Sequence, residues 1–213
     1  MKIAVLRERA TGESRVSATP ETVKKFIAFG ASVVVESGAG LGASIGDDDY
    51  RAAGADVVTG DAARDANIVL GVQGPEAELL AGVKSGAWVV AGLDPFGRRD
   101  RVDAYAAAGL EALAMEFMPR ITRAQSMDIL SSQSNLAGYK AVITAANIYG
   151  RAFPMMMTAA GTVSAAKAFV MGVGVAGLQA IATARRLGAQ VSATDVRSAT
   201  KEQIQSLLSL IHI

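Results

Sequence analysis

An α/β fold of two doubly wound parallel-sheet domains is the architecture this sequence predicts. Apolar, β-branched segments alternate with helical ones along the whole chain, which calls for parallel strands with helices on both faces. A glycine string sits between two such strands, with an acid closing the second. The chain has 213 residues and 51% hydrophobic content, enough to bury the core that two such layers need.

The elements follow in order. Lys2 to Leu6 reads as a strand. Pro20 to Gly30 reads as a helix, with Thr19 as N-cap, Pro20 as first helical residue and Gly30 as terminator. Ser32 to Glu36 is the next strand, Asp47 to Ala53 a short helix started by three aspartates, and Asp56 to Val58 a short strand. Asn67 to Val72, Trp88 to Leu93 and Glu111 to Phe117 are further strands, separated by helical pieces at Glu76 to Val83 and Arg99 to Ala108. A long Ala-, Leu- and Ile-rich helix is expected from Ser134 to Tyr149. The domains expected are residues 1–127, a connecting loop and helix over 128–156, and a second α/β unit over 157–207, which stops after its second strand. Leu208 to Ile213 reads as a non-native tail, so His212, the only histidine, is expected to carry no function.

The glycine string is Gly172-Val173-Gly174-Val175-Ala176-Gly177, entered from Ala168–Met171 and left through a helical run. Such a string is a dinucleotide signature only inside a strand–helix–strand unit, and that context is present. Gly172 allows the tight turn, Gly174 lets the backbone approach a pyrophosphate, and Gly177 lets the helix pack on the strand. The N–H groups opening the helix, at Val175 and Ala176, would hold phosphate charge. Asp195 would accept hydrogen bonds from an adenosine ribose and disfavour a ribose phosphate, which points to NAD(H) over NADP(H); Arg197 two residues on works against that preference.

A second polar segment, Met118 to Ala141, lies between a strand and the long helix. Segments leaving the carboxyl ends of strands build the ligand crevice of a doubly wound fold, which would aim Arg120, Gln125, Asp128 and Ser131 at a nicotinamide. A capped, solvated loop is the other reading, with Asp128 or Ser131 as N-cap and the arginines as surface charge. Both stand at this point.

Composition excludes several classes. Net charge is +1, so there is no electrostatic case for nucleic acid. Cysteine is absent, which excludes disulfides and thiolate chemistry. The N-terminus is charged too early for a secretory signal, and no apolar run is long enough to span a bilayer. Asp47-Asp48-Asp49 lacks companion ligands, and no metal site is expected.

The Met118–Ala141 segment, followed by Arg151-Ala152-Phe153-Pro154-Met155-Met156-Met157-Thr158-Ala159-Ala160-Gly161-Thr162 and the glycine string, resembles the NAD(H)-binding component of the proton-translocating nicotinamide nucleotide transhydrogenase family, nearly from Met1 to Leu207. Arg15-Val16-Ser17-Ala18-Thr19-Pro20 and Gly38-Ala39-Gly40 also look like the alanine dehydrogenases. The transhydrogenase resemblance implies Rossmann-like domains and nicotinamide contacts from Arg120, Gln125, Asp128 and Ser131, with Ile121 beside them. It places Val173 on the adenosine side and Asp195, Val196 and Arg197 around ribose and adenine. It implies direct hydride transfer from NADH to NADP+ held on a partner component, a membrane component that carries protons, a homodimer, and a peripheral position on the cytoplasmic side of the inner membrane without insertion. An alanine dehydrogenase needs a lysine and a histidine at its substrate carbonyl; Gln73 stands at the first place and Asp94 near the second, against that alternative. Arg15, which would bind a substrate carboxylate there, is retained and is expected to be structural, in a salt bridge near the crevice. A binding fragment without activity is the third reading.

Overall fold

Lys2–Val5 (β1) holds the centre of the first sheet because it is apolar toward both faces. Ile3 and Val5 point one way, Ala4 and Leu6 the other, and all four are buried. In the computed structural model, which describes residues 1–119 and 121–197, β1 pairs in parallel with Ser32–Glu36 (β2) on one side and Ile68–Gln73 (β4) on the other. Asp56–Val58 (β3) extends the sheet beyond β2; Trp88–Gly92 (β5) and Glu111–Ala114 (β6) extend it beyond β4. The order is β3-β2-β1-β4-β5-β6, all parallel, so it reverses between β1 and β4.

Helices cover both faces. Pro20–Ala28 (α1) and Asp47–Ala52 (α2) bring Val23 and Tyr50 onto Ile3, Val5, Val33 and Val35. Arg99–Ala107 (α3) and the 3-10 turn Ala77–Leu80 bring Tyr105 and Leu80 onto Ala4, Leu6, Val69 and Val89. The start of α1 is built as its sequence requires: the Thr22 N–H donates to Thr19 Oγ1 at 3.4 Å, and Pro20 opens the helix. Past its end Gly30 takes a φ of +84°.

Contacts divide the chain after Pro119 into two units, earlier than the boundary expected near Met127. Four elements differ from expectation. The strand from Glu111 stops at Ala114 and continues as a 3-10 turn, Met115–Phe117, because Glu116 turns back to accept from the Leu93 and Asp94 N–H groups. The helix expected over 76–83 shrinks to one 3-10 turn between Pro75 and Gly82, whose φ is +81°. The long helix, Ile129–Ile148 (α4), begins five residues before Ser134, because Asp128 caps it. Met156–Thr158 (β7) and Gly161–Val163 (β8) form an antiparallel hairpin that periodicity does not announce.

In the second unit Lys167–Met171 (β9) and Gln190–Thr194 (β10) run parallel on either side of Val175–Arg186 (α5) in sequence. Ile181 and Ala184 of α5 pack against Val173, Ala193, Ala189 and, from α4, Val142. The α4–α5 contact is made at Gly138, where a side chain would run into the Ala176 backbone carbonyl. The tail at 208–213 lies outside the described residues, as does the end of the domain expected over 157–207.

Tyr50 is fully buried and its hydroxyl donates to the Ala18 carbonyl at 2.9 Å, tying α2 to the segment before α1. Tyr50→Phe leaves that carbonyl without this donor and is expected to lower unfolding stability by about 1–2 kcal/mol. Urea unfolding with a lowered midpoint and an unchanged slope is the readout.

Candidate functional site

The glycine turn borders a cleft of the second unit. Gly172 takes a φ of +90°, and its N–H closes the turn by donating to the Thr194 carbonyl at 2.8 Å. Gly174 is the N-cap of α5 and offers no side-chain cap for the first N–H groups of the helix, and Gly174 to Gly177 line open space. A side chain at Gly174 would meet only the Arg197 guanidinium, with Nη2 at 4.0 Å. A side chain at Gly177 would fall on the Gly172 carbonyl, so only glycine lets α5 close on the turn. All three glycines therefore have the geometry that a bound pyrophosphate needs. In front of them lies a cleft of about 660 Å³.

The opposite wall of that cleft is the N-terminal half of α4. Ser131, Ser134 and Gly138 line it, at the i, i+3, i+7 spacing of one helical face. Sequence reasoning misses Ser134 and Gly138 as site residues, although this spacing could have found them. Ser131 is doubly employed: its N–H donates to Asp128 Oδ1 at 2.9 Å and its Oγ to Asp128 Oδ2 at 2.6 Å. The Leu130 N–H also donates to Asp128, at 3.0 Å. The capping reading of Asp128 is thus realised, while Ser131 also faces the glycine turn.

The remaining predicted residues are placed as follows. Ile121 is exposed, and Gln125 is exposed on the 3-10 segment Thr122–Met127; neither lines the cleft. Arg120 lies outside the described residues. Val175, Ala176 and Gly177 line the cleft, whereas the Val173 side chain, expected on the adenosine side, is 1% exposed and packs in the core with Ile181 and Ala193. Only the backbone of Val173 serves the site: its N–H donates to Asp195 Oδ2 at 2.6 Å. Val196 is fully exposed.

Asp195 is the electrostatic anchor of the turn. Its Oδ1 accepts from the Arg197 N–H at 2.8 Å and from Arg197 Nε at 3.0 Å; its Oδ2 accepts from Arg197 Nη2 at 3.0 Å as well as from Val173. The Arg197 side chain first, then the two backbone N–H groups, hold this carboxyl well below the usual carboxylate range.

The first unit has its own crevice, about 520 Å³, outside the carboxyl ends of β1, β4 and β5 where the strand order reverses. Glu8 reaches into it and accepts from the Val72 and Gln73 N–H groups at 2.6 and 3.1 Å; burial nonetheless pushes its carboxyl up. Arg15 donates from Nε and Nη2 to Glu13 at 2.6 and 2.5 Å, and Gln73 Nε2 donates to the same carboxylate at 3.2 Å. The salt bridge expected for Arg15 is therefore present. Asp94 is exposed at a φ of +47°, its N–H held by Glu116. The lysine and histidine that an alanine dehydrogenase needs are replaced here by an amide, Gln73, and a carboxylate, Asp94. Among the described residues no His, Asp or Glu cluster could hold a metal ion, and no helix is long and apolar enough to cross a membrane.

A parallel strand–helix–strand unit with a glycine turn at an uncapped helix N-terminus, in a chain that also carries a six-stranded sheet of order 3-2-1-4-5-6, defines an α/β protein of the Rossmann-like class. Comparison with known proteins narrows this. Residues 4–137 match the family model "Alanine dehydrogenase/PNT, N-terminal domain" and residues 141–213 the corresponding C-terminal domain, so the chain belongs to the alanine dehydrogenase/PNT family. It is 56% identical to an NAD(P) transhydrogenase subunit alpha chain of Rhodospirillum rubrum over 97% of its own length and 56% of the relative's. It superposes on the crystal structure of a transhydrogenase from Sinorhizobium meliloti with a TM-score of 0.93 and 59% identity, over 97% of this chain and 62% of that one. L-alanine dehydrogenase is more distant, with a TM-score of 0.85 and 28% identity over 98% of this chain and 58% of that one. The chain thus spans a little over half the length of the relatives it matches.

Glu13 supplies a pH-dependent prediction. The Arg15 side chain, above all, lowers its carboxyl from about 4.5 to about 2. A depressed acid contributes stability that is complete above its unfolded value and is lost as pH falls toward the folded one. The stability difference between the parent chain and Glu13→Gln should therefore be largest near pH 6, shrink below pH ~4.5 and vanish by pH ~2. Urea unfolding of both chains at several pH values measures it; a difference constant from pH 6 to pH 2 would contradict the pairing.

Proposed function

We propose that this chain provides the NAD(H)-binding part of an NAD(P) transhydrogenase, holding NADH while its hydride passes to NADP+ on a partner component. The observation that carries this reading is the uncapped N-terminus of α5 opening on a cleft, with Asp195 fastened behind the turn. The names of its relatives point the same way.

The site fits the nucleotide it would hold. The N–H groups at the start of α5 face a pyrophosphate, and no Cβ at Gly172 or Gly174 stands in its path. Asp195 accepts from the adenosine ribose. Ser131 and Asp128, at the start of α4, border the nicotinamide end, with Arg120 and Gln125 on the segment just before them. The nicotinamide supplies the hydride when bound. The protein's part is to fix which ring face is presented and to keep water away. No acid or base is needed for such a transfer, and the lysine and histidine of an alanine dehydrogenase are replaced by Gln73 and Asp94 in the first unit's crevice. A carboxylate beside the ribose disfavours a 2′-phosphate, which assigns NADP(H) to the partner.

The same reading includes a membrane component that carries protons, a peripheral position on the cytoplasmic side of the inner membrane, and a homodimer. The dimer is supported by exposed apolar side chains on and beside the β7–β8 hairpin, Met155, Met156 and Met157.

Two measurements test the proposal. Asp195→Ala is expected to weaken NADH binding by about 10- to 100-fold in a fluorescence titration; an unchanged dissociation constant removes Asp195 from the site. Deuterium from the 4-position of NADH is expected to appear in NADPH only once a separate NADP(H)-binding component is added. L-alanine-dependent reduction of NAD+ by this chain alone would favour the dehydrogenase instead.

A further inference from the structure

How Asp195 receives a ribose depends on the donors it already holds, given the nucleotide reading above. A carboxylate offers about four acceptor positions. Here all four are taken: the Val173 and Arg197 backbone N–H groups fill one on each oxygen, and Arg197 Nε and Nη2 fill the other two. The Asp195 side chain is only 5% exposed, whereas that of Arg197 is 60% exposed. The backbone donors belong to the turn and to the end of β10 and cannot leave without unmaking them. The two guanidinium donors sit on a side chain that is mostly exposed, so their exchange leaves the backbone in place.

We propose that Arg197 is a placeholder in the ribose subsite: its Nε and Nη2 occupy the two Asp195 acceptor positions that the ribose 2′- and 3′-hydroxyls take over when NADH binds. The exchange is two donors out and two donors in, so the buried carboxylate is never left short of partners. It also explains a position that looks contradictory in the sequence, where a cation stands two residues after the acid that selects against a ribose phosphate. Held on Asp195, the guanidinium is neutralised and offers little to a 2′-phosphate. A 2′-phosphate, for its part, has no hydroxyl donor to give Asp195 in exchange. Arg197 thus sharpens the choice of NAD(H) and does not work against it, and its role is displacement rather than the direct hold on ribose or adenine that the family resemblance implies.

The test is nucleotide binding by the 213-residue chain and two variants, Arg197→Ala and Arg197→Lys, with NADH and NADPH titrated separately. Removing the placeholder spares NADH the cost of breaking an exposed ion pair, so its dissociation constant should fall roughly three- to fivefold in Arg197→Ala. NADPH should gain nothing, so the ratio of the two dissociation constants widens; a general change in folding or stability would move both alike. Arg197→Lys keeps the charge without the two-pronged donor and should fall between parent and alanine variant for NADH. Unchanged or weaker NADH binding by Arg197→Ala overturns this inference while leaving the nucleotide reading intact. No NADH binding by the parent or by either variant overturns both.

Discussion

The close approach of α5 to the turn that precedes it is the constraint on which the second unit depends. Gly177 has no room for a side chain because the Gly172 carbonyl lies where one would be, and Gly138 has none because the Ala176 carbonyl of α5 lies against α4. These two contacts fix the start of α5 between β9 and α4. They leave the start of α5 uncapped by any side chain and lining the cleft, and Asp195 then ties the turn to the end of β10 through the Val173 N–H. The helix N-terminus is thus aimed by backbone packing and held by one carboxylate. A ligand that brings negative charge meets a helix N-terminus that is already placed, so its phosphates require little backbone rearrangement, and the exchange at Asp195 is confined to the Arg197 side chain.

The two units divide their labour by what their crevices contain. The first has the fuller sheet and a crevice where its strand order reverses, the usual place for a ligand in such a fold. Its polar groups are nevertheless spent on each other: Glu13 on Arg15 and Gln73, Glu8 on two backbone N–H groups, Glu116 on the N–H groups of Leu93 and Asp94. Such a network stiffens the loops at the carboxyl ends of the strands, and among the described residues it holds neither a lysine nor a histidine at Gln73 and Asp94. The second unit leaves the N-terminus of α5 without a side-chain cap beside its cleft. The backbone alone does not carry that contrast, since L-alanine dehydrogenase shares the fold with a TM-score of 0.85.

Much of this is legible in the sequence, and the reasons are physical. Alternating apolar runs announce the strands of the first sheet, because strands buried on both faces leave few alternatives. Thr19, Pro20 and Gly30 announce both ends of α1 through local chemistry alone. The glycine turn is legible because each glycine answers a backbone demand. What stays hidden depends on contacts distant in sequence. The strand from Glu111 stops early because Glu116 is drawn to the N–H groups of Leu93 and Asp94, more than twenty residues back. Val173 is core rather than lining because Ile181 and Ala193 close over it. The saturation of Asp195 is a matter of side-chain geometry between neighbours that no spacing rule describes. For Asp128 the sequence leaves capping and ligand contact both open; the cap is what the fold displays, and it sets where α4 begins.

The central claim is that a dinucleotide is held at the glycine turn of the second unit and not in the crevice of the first. Amide resonances observed by NMR during a titration with NADH test it most directly. The account predicts saturable shifts at Gly172, Val173, Gly174 and Ser131, with Gln73 and Asp94 unmoved. Shifts confined to Gln73, Asp94 and their neighbours, with the glycine turn silent, would contradict it.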